Sequence, residues 1–504
     1  MLVLSKNNNR ENFKLRQCIV PLLFLLMTGC AAVGPDYKEP EFEAPDAWEN
    51  VVINEVNSDS SPLEEWWITF DDPELDSLLK RAREANPDLR IAVQRIAEAQ
   101  AFNRIAGGDR YPDLNLDASF QRSKLSEDLT GGLFANNPSN IWSAGLATSW
   151  EVDVFGRVRR SIEATEADLG ASIEDYRDVM VSLYAQVAIN YINVRTLQQR
   201  LQYAQSNVNS QRETLEVVRY RFEAGLVPKF DVAQSRYNLA NTETLIPELI
   251  PLLEQALNQL AILLGQIPGS LDKELSQESE IPVPKTELAL AMPADLLRRR
   301  PDIRQAERQV AAQSARIGVA TADLYPQFSL TGALTLGASE FSNLANSDSV
   351  GWSLVPGVRW NLFSAGKVEG LIDVEEARTK QAVINYEKIV LNALAEVETN
   401  MVALRQEGLR AEKLSEAVDA SQESVELVST SYLAGLTDFQ SLLDSQRSLF
   451  SQQDRLVASQ GQAVINFINL NRALGGGWSI DDPVLAEELR KNDQQTDTDN
   501  KEEN

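Results

Sequence analysis

Asn86-Pro87-Asp88-Leu89-Arg90, with Tyr111-Pro112 beyond it, recurs as Arg300-Pro301-Asp302-Ile303-Arg304 followed by Tyr325-Pro326. The offset is the same at both landmarks, 300 − 86 = 214 and 325 − 111 = 214. Further along, Trp150 to Gly156 answers Trp360 to Gly366, and Ala224-Gly225-Leu226 answers Ala434-Gly435-Leu436. Leu260 to Gly265 answers Leu470 to Gly475, these last three matches all at an offset of 210. Solenoid repeats run to about 50 residues at most, so this period marks a duplicated domain-sized module. Each copy passes through the same order of elements.

In the first copy, Pro73 to about Asp109 reads as helical, with Asn86-Pro87 an N-cap followed by proline at the first helical position. Past Tyr111-Pro112 the period changes to two. Leu114, Leu116, Ala118 and Phe120 alternate with polar residues, and after a loop Trp142, Ala144, Leu146, Thr148, Trp150 and Val152 do the same. The second copy answers with Phe328, Leu330, Gly332, Leu334 and Leu336, then Trp352, Leu354, Val358, Trp360 and Leu362. Strands of about ten residues with one apolar face, one small polar face and tryptophan near the ends fit a transmembrane β-structure. They also fit a soluble hairpin with one face on a core.

A long helix follows each hairpin. Ile173, Met180, Val187, Val194, Leu201, Val208, Leu215 and Phe222 are spaced seven apart, and so are Val383, Val390, Val397, Leu404, Ala411, Val418, Val425 and Tyr432. Eight apolar positions in succession predict coiled-coil packing over a rod of roughly 75 Å. Gly225 and Gly435 are suited to the left-handed turn that stops each rod. Return helices are predicted over about Phe230 to Leu264 and about Phe439 to Leu474. Pro247 and Pro251 must kink or break the first of them, whereas the second has no proline there.

Charge and composition narrow the function. The chain of 504 residues carries a formal charge of −27 and no histidine. Nucleic acid is excluded as a partner, because phosphate neutralisation needs a basic footprint. No metal site or cofactor is expected, and nothing in the chain supplies a chemical step: no histidine base, no thiol nucleophile in the mature chain and no phosphate-binding loop. An enzyme is therefore not expected. Residues 1–29 have four basic residues against Glu11, a net of +3, and an apolar run from Ile19 to Met27 too short to span a bilayer. The run ends in Leu26-Met27-Thr28-Gly29-Cys30, which resembles a lipobox with Cys30 as the lipid-modified first residue, and Ala31 after it suggests sorting to the outer membrane. The alternative is an ordinary signal peptide with an incidental cysteine. Cys18 lies in the signal, so the mature chain has no intrachain disulfide.

The expected organisation is a signal peptide over 1–29 and an extended arm over 30–72. Repeat 1 over 73–270 holds a hairpin at 113–153 and a helix pair at 161–264. Repeat 2 over 271–478 holds a hairpin at 327–363 and a helix pair at 367–474. An acidic, disordered tail occupies 479–504. The fold class is mixed α and β. If the strands span, four of them cannot close around a lumen in lipid, where every backbone group must be paired, so several chains must pool them; three chains would give twelve strands.

The mature start Cys30-Ala31-Ala32-Val33-Gly34-Pro35-Asp36-Tyr37, the run Pro293 to Ile303, and the tract Tyr432-Leu433-Ala434-Gly435 to Leu443-Asp444-Ser445-Gln446-Arg447 resemble the TolC-like outer-membrane efflux family, in its lipoprotein branch. The resemblance covers about residues 30–478. It implies a homotrimer with a twelve-stranded β-barrel and a periplasmic α-helical barrel, docked to an RND-type inner-membrane pump through a periplasmic adaptor. In that family the tube narrows to a tip held by tyrosine, aspartate and arginine contacts just past the helical turn. The matching positions are Tyr432, Asp444 and Arg447, with Asp231 in the equivalent tract of the first copy. Asp444 and Arg447 stand at i, i+3 and are placed to pair within one chain, although an exposed pair is worth only a few tenths of a kcal/mol. Tyr432 is also a heptad position, so core packing is its alternative role. Gln440 stands where, by the same resemblance, close relatives can carry a bulky apolar plug.

The expected function is a passive efflux conduit for drugs or other small molecules. The rivals are a protein or peptide export channel and a structural coiled-coil lipoprotein tethering the outer membrane. The cargo is not legible: Met180, Met292 and Met401 without histidine give no support to copper or silver transport.

Overall fold

The computed structural model describes residues 32–45, 47–49, 63–124, 138–277, 279–285, 299–482, 485–486 and 490. Cys30 and the signal segment lie outside the described residues, as does most of the acidic tail. The chain divides into two compact units. One comprises residues 1–41, 98–171 and 306–386, the other 42–97, 172–305 and 387–504.

The duplication is visible element by element. Helices α1 (Pro73–Ala85) and α2 (Pro87–Gly108) lead to strands β1 (Asp113–Ser123) and β2 (Ser139–Val152), then to α3 (Arg157–Glu223). The second copy runs from α6 (Pro301–Ala322) through β3 (Gln327–Ala338) and β4 (Val350–Arg359) to α7 (Lys367–Leu433). Both long helices have 67 residues, and their first and last positions keep the offset of 210. The connection between strands is four residues shorter in the second copy, which turns the offset of 214 into 210.

In the first unit, β1 to β4 form one antiparallel sheet in sequence order. Register puts Leu116, Leu146, Leu334 and Trp352 in one row, and Leu114, Thr148, Gly332 and Leu354 in another. The opposite face carries the rows Asp117, Gly145, Thr335, Gly351 and Asn115, Ala147, Ala333, Ser353. The sheet thus has one apolar face and one of small polar residues. Trp352 and Leu116 are about three-quarters exposed, at 79% and 74%. Among the described residues nothing covers the apolar face at these positions. Trp150 and Trp360, matched by the duplication, each donate their indole N–H at 3.0 Å to a backbone carbonyl, of Arg110 and Leu324 respectively. Trp360 and Leu362 fall beyond the end of β4 at Arg359, a difference from the single-face reading of that segment. The arm is tied to the foot of β2: Val33 N–H donates to the Phe155 carbonyl at 3.0 Å, and the buried Arg160 guanidinium donates to Val33 O and Asp36.

In the second unit the coiled-coil positions Met180, Val187, Val194, Val208 and Leu215 are buried, while of the matching series only Val390, Val397 and Tyr432 are. Asn86 caps α2 by accepting from Leu89 N–H at 3.0 Å and donates to the Leu263 carbonyl at 2.9 Å. Arg300, its counterpart before α6, donates to the Ala473 carbonyl at 2.8 Å. Leu263 and Ala473 are matched by the same duplication, so both copies dock the end of a return helix on the proline junction.

The first return helix is broken into α4 (Lys229–Glu243) and α5 (Leu245–Leu263) at Thr244, whereas the second, α8 (Phe439–Ala473), is continuous. Pro247 has no N–H to offer the Glu243 carbonyl four residues back, and its ring crowds that carbonyl, which places the break. The acidic tail begins later than its composition suggests. Asp482 is buried, accepting from Arg83 at 2.5 Å and from the Tyr176 hydroxyl at 3.2 Å, and Leu485 is buried too. A buried carboxylate with two donors is held in place, whatever its sequence neighbours favour.

Candidate gate at the helical turns

Each long helix stops in the same motif. Gly225 and Gly435 have φ of 69° and 75°, in the left-handed region that costs a Cβ-bearing residue about 1 kcal/mol or more. Leu226 N–H then reaches back to the Arg221 carbonyl, and Leu436 N–H to that of Ser431, both at 2.8 Å. These bonds satisfy carbonyls that the helix end leaves bare.

Tyr432, in the last turn of α7, is only 3% exposed and packs with Val218, Phe439, Leu442 and Leu443. Core packing is therefore part of its role. Arg221, from the last turn of α3, lies over the Tyr432 ring at 4.6 Å and donates through Nη1 to the Tyr432 carbonyl at 2.5 Å. One guanidinium thereby closes a helix C-terminus of the second copy and stacks on its aromatic ring, tying the two copies together at their turns. Arg221 Nε and the Tyr432 hydroxyl are both buried without a hydrogen-bond partner. Burial pushes the Tyr432 hydroxyl above its usual pKa, Arg221 opposes this and Asp231 adds to it, so the phenol is neutral at physiological pH.

Asp231, in the first turn of α4, is half-buried, and its carboxyl is raised first by burial and then by the neighbouring Asp438. Asp438 caps α8, accepting from the Ser441 hydroxyl at 2.6 Å and from the Ser441 N–H at 2.8 Å, and these two bonds hold its own carboxyl low. Tyr432 and Asp231 are thus brought within electrostatic reach of each other.

Asp444 and Arg447 are not brought together. Asp444 is exposed and accepts from Gln440 Nε2 at 3.0 Å; among the described residues, Arg447 makes no ion pair. Gln440 stands one turn before Asp444 on the same face of α8 and takes the carboxylate first, while Arg447 lines a cavity against α3 and the α4–α5 break. The sequence reading missed Arg221. Its signal was the asymmetry of the copies, since the matching position in the second is Ser431.

A duplicated chain with a two-faced antiparallel sheet and paired coiled coils ending in glycine turns defines a class: the subunit of an outer-membrane channel. The chain belongs to the family described as Outer membrane efflux protein, whose profile matches residues 78–266 and 292–476. It is 33% identical over 473 residues to the "Solvent efflux pump outer membrane protein SrpC" of Pseudomonas putida, covering 92% of this chain and 98% of that protein. To "Nodulation protein T" of Rhizobium leguminosarum bv. trifolii it is 31% identical over 459 residues, covering 91% and 97% respectively. The solved outer-membrane channel OprN superposes with a TM-score of 0.82 at 33% identity, covering 89% of this chain and all of that one. Of these, OprN is an outer-membrane channel and SrpC the outer membrane protein of a solvent efflux pump, and the place of this chain is the outer membrane.

Proposed function

We propose that three copies of this chain form a passive conduit through the outer membrane, fed by an inner-membrane RND-type pump through a periplasmic adaptor. The observation that carries the reading is the sheet. It has an apolar face, a small polar face, and edge strands β1 and β4 that pair on one side only among the described residues. In lipid an open edge leaves backbone groups unsatisfied, and joining β4 of one copy to β1 of the next removes every edge. Twelve strands with the small polar residues inward leave a wet lumen. The half-buried Leu404, Ala411, Val418 and Val425 of α7 supply an apolar seam that a neighbouring copy would complete. Cys30 is proposed as the lipid anchor. The arm supports this, because Ala32, just after the cysteine, packs on Gly156 at the junction of β2 and α3.

The turns are proposed as the gate, with Arg221 and Tyr432 as the tie, Asp231 beside it, Asp444 exposed for contacts beyond the chain, and Arg447 at the cavity against α3. A helix pair tied at its tip by one guanidinium is closed by an interaction that a competing contact can replace. Planar-bilayer recording tests both parts. The full-length protein should give discrete channels of low conductance, and Arg221→Ala should raise that conductance several-fold, as loss of a buried charge-assisted contact of about 1.5–3 kcal/mol implies. No channels at all would sink the conduit. Channels unchanged in Arg221→Ala, Tyr432→Phe and Asp444→Ala would sink the gate alone.

A further inference from the structure

A duplicated chain implies two copies of each contact, yet one contact at the strand–helix junctions is made only once. Past β2, the start of α3 packs antiparallel on the end of α6. Arg160 lies across Gly318, where a Cβ would stand 2.7 Å from Arg160 Cγ. Ten residues on along α3 and ten back along α6, a Cβ on Gly170 would stand 3.3 Å from Arg308 Cδ. Four residues further on each helix, Glu174 pairs with Arg304 at 2.7 Å. Asp168 pairs with Arg316 at 2.5 Å. The N-terminal arm crosses here, its Gly34 so close to Gly318 that Gly34 has no room for a side chain. The Arg160 guanidinium holds Glu163 and Asp36, both at 2.7 Å.

The offset of 210 carries α3 onto α7, and that of 214 carries α2 onto α6. The face that is covered on α3 is bare on α7: Ala164 is 4% exposed, its counterpart Val374 44%. On α2, Phe102 and Ile105 are more than half exposed. A Cβ on Gly370, the counterpart of Arg160, would have open space around it. We propose that a second copy of this chain covers this face, its α2 packing on α7 in the register of α6 on α3. Arg104 of the neighbouring copy then lies across Gly370 and pairs with Asp373. The inference rests on the assembly proposed above and adds its helix register and contact residues. The same shift carries the β2–β3 pairing onto β4 and the β1 of the next copy, so the helices follow strands that are already neighbours.

The exchanged residues support the match. Arg160 on Gly318 becomes Gly370 under Arg104, so large and small partners change sides and the space stays filled. Asp373 stands where Glu163 accepts from the guanidinium. Asp168 with Arg316 becomes Arg378 with Phe102, a cation facing an aromatic ring. Gly170 with Arg308 becomes Lys380 with Gln94, and Glu174 with Arg304 becomes Ile384 with Arg90, whose stem covers apolar surface. None of these pairs sets like charges together. The chain has one arm for two junctions, so at the second crossing Arg104 has room that its counterpart Gly318 lacks.

Disulfide formation in the full-length protein tests the register, since Cys18 and Cys30 are its only cysteines. One bond from Cγ, the Arg160 Cβ lies within about 4.2 Å of a Cβ at position 318, inside the disulfide range of about 3.5–4.5 Å. Arg104→Cys with Gly370→Cys should therefore give covalent dimers and trimers on mild oxidation. Arg104→Cys with Arg378→Cys, about 12 Å further along α7, should not. Arg104→Glu should lower the temperature at which the detergent-solubilised assembly dissociates by several degrees, and Asp373→Arg should do the same. The double reversal should recover most of the loss, because paired residues couple. Light scattering on the wild type measures assembly independently. Three chains together, with no disulfide between positions 104 and 370 or no recovery in the double reversal, overturn the register and leave the conduit standing. Trimers that crosslink as expected and conduct nothing keep the contact and remove the conduit. A monomeric wild type overturns both.

Discussion

A single carboxylate on α3 reports how tightly the second unit is packed. Asp178 is pushed up to about 6 from an ordinary 3.8, first by burial and then by Asp302, with Asp175 adding to it and Arg300 and Arg472 pulling the other way. A raised folded-state pKa means that the protonated form favours folding. The contribution is complete below 3.8 and disappears as pH rises through about 6, so at neutral pH the ionised group weighs against the fold by on the order of 2–3 kcal/mol. Asp178→Asn mimics the protonated state. Its thermal midpoint should exceed that of the wild type at pH 7.5, and the advantage should vanish near pH 4. A variant no more stable at pH 7.5 would remove the basis for the shift. Neighbouring charges of this kind cannot be read along a sequence, because Asp302 and Arg472 reach Asp178 from other helices. The gate shows the same limit. The i, i+3 spacing made Asp444–Arg447 a fair expectation, yet i, i+4 spacing serves Gln440 equally well, and only side-chain placement decides between them.

At the scale of elements, local chemistry was legible and partner choice was not. Heptads, glycine turns and the proline break are written in single segments; the turns and the break stand where their residues demand, and within the chain the first heptad series is buried more fully than the second. What pairs with what across the copies depends on contacts between distant stretches of chain, which is why Arg221 went unseen until α3 and α7 lay side by side. Position 251 illustrates both sides. The first copy has Pro251 within α5, and at the matching position the second has Gly461 within the unbroken α8. The sequence accounts for the proline, while the glycine is explained only by packing: a Cβ there would lie 2.2 Å from Thr196 Oγ1 on α3. Gly461→Ala should destabilise the fold by about 1–3 kcal/mol through overpacking, despite alanine's better helix propensity. Adding Thr196→Ala should return much of that loss. A double variant no better than the single one would show that the close approach is not the cause, since residues in contact must couple in such a cycle.

For the whole molecule, the duplication gives the sheet its meaning, because two hairpins in register extend each face across four strands. The row Leu116, Leu146, Leu334, Trp352 runs across the apolar face, and the next row, Asp117, Gly145, Thr335, Gly351, runs across the other. In the proposed barrel, the adjacent residues Leu334 and Thr335 would therefore separate lipid from lumen by one position in sequence. Leu334→Lys places a charge on the lipid-facing side of a central strand and should cost about 2–4 kcal/mol near the bilayer midplane, seen as a loss of insertion into vesicles. Thr335→Lys stands between Gly145 and Gly351, which leave it room, and should insert normally. In a trimer it adds three positive charges to one level of the lumen, so cation conductance should fall while anion preference rises. Lysine scanning with paired insertion and single-channel measurements distinguishes the outcomes. If Leu334→Lys inserts as the wild type does and Thr335→Lys fails to, the faces are reversed. If both insert and neither changes ion preference, the sheet does not line a pore.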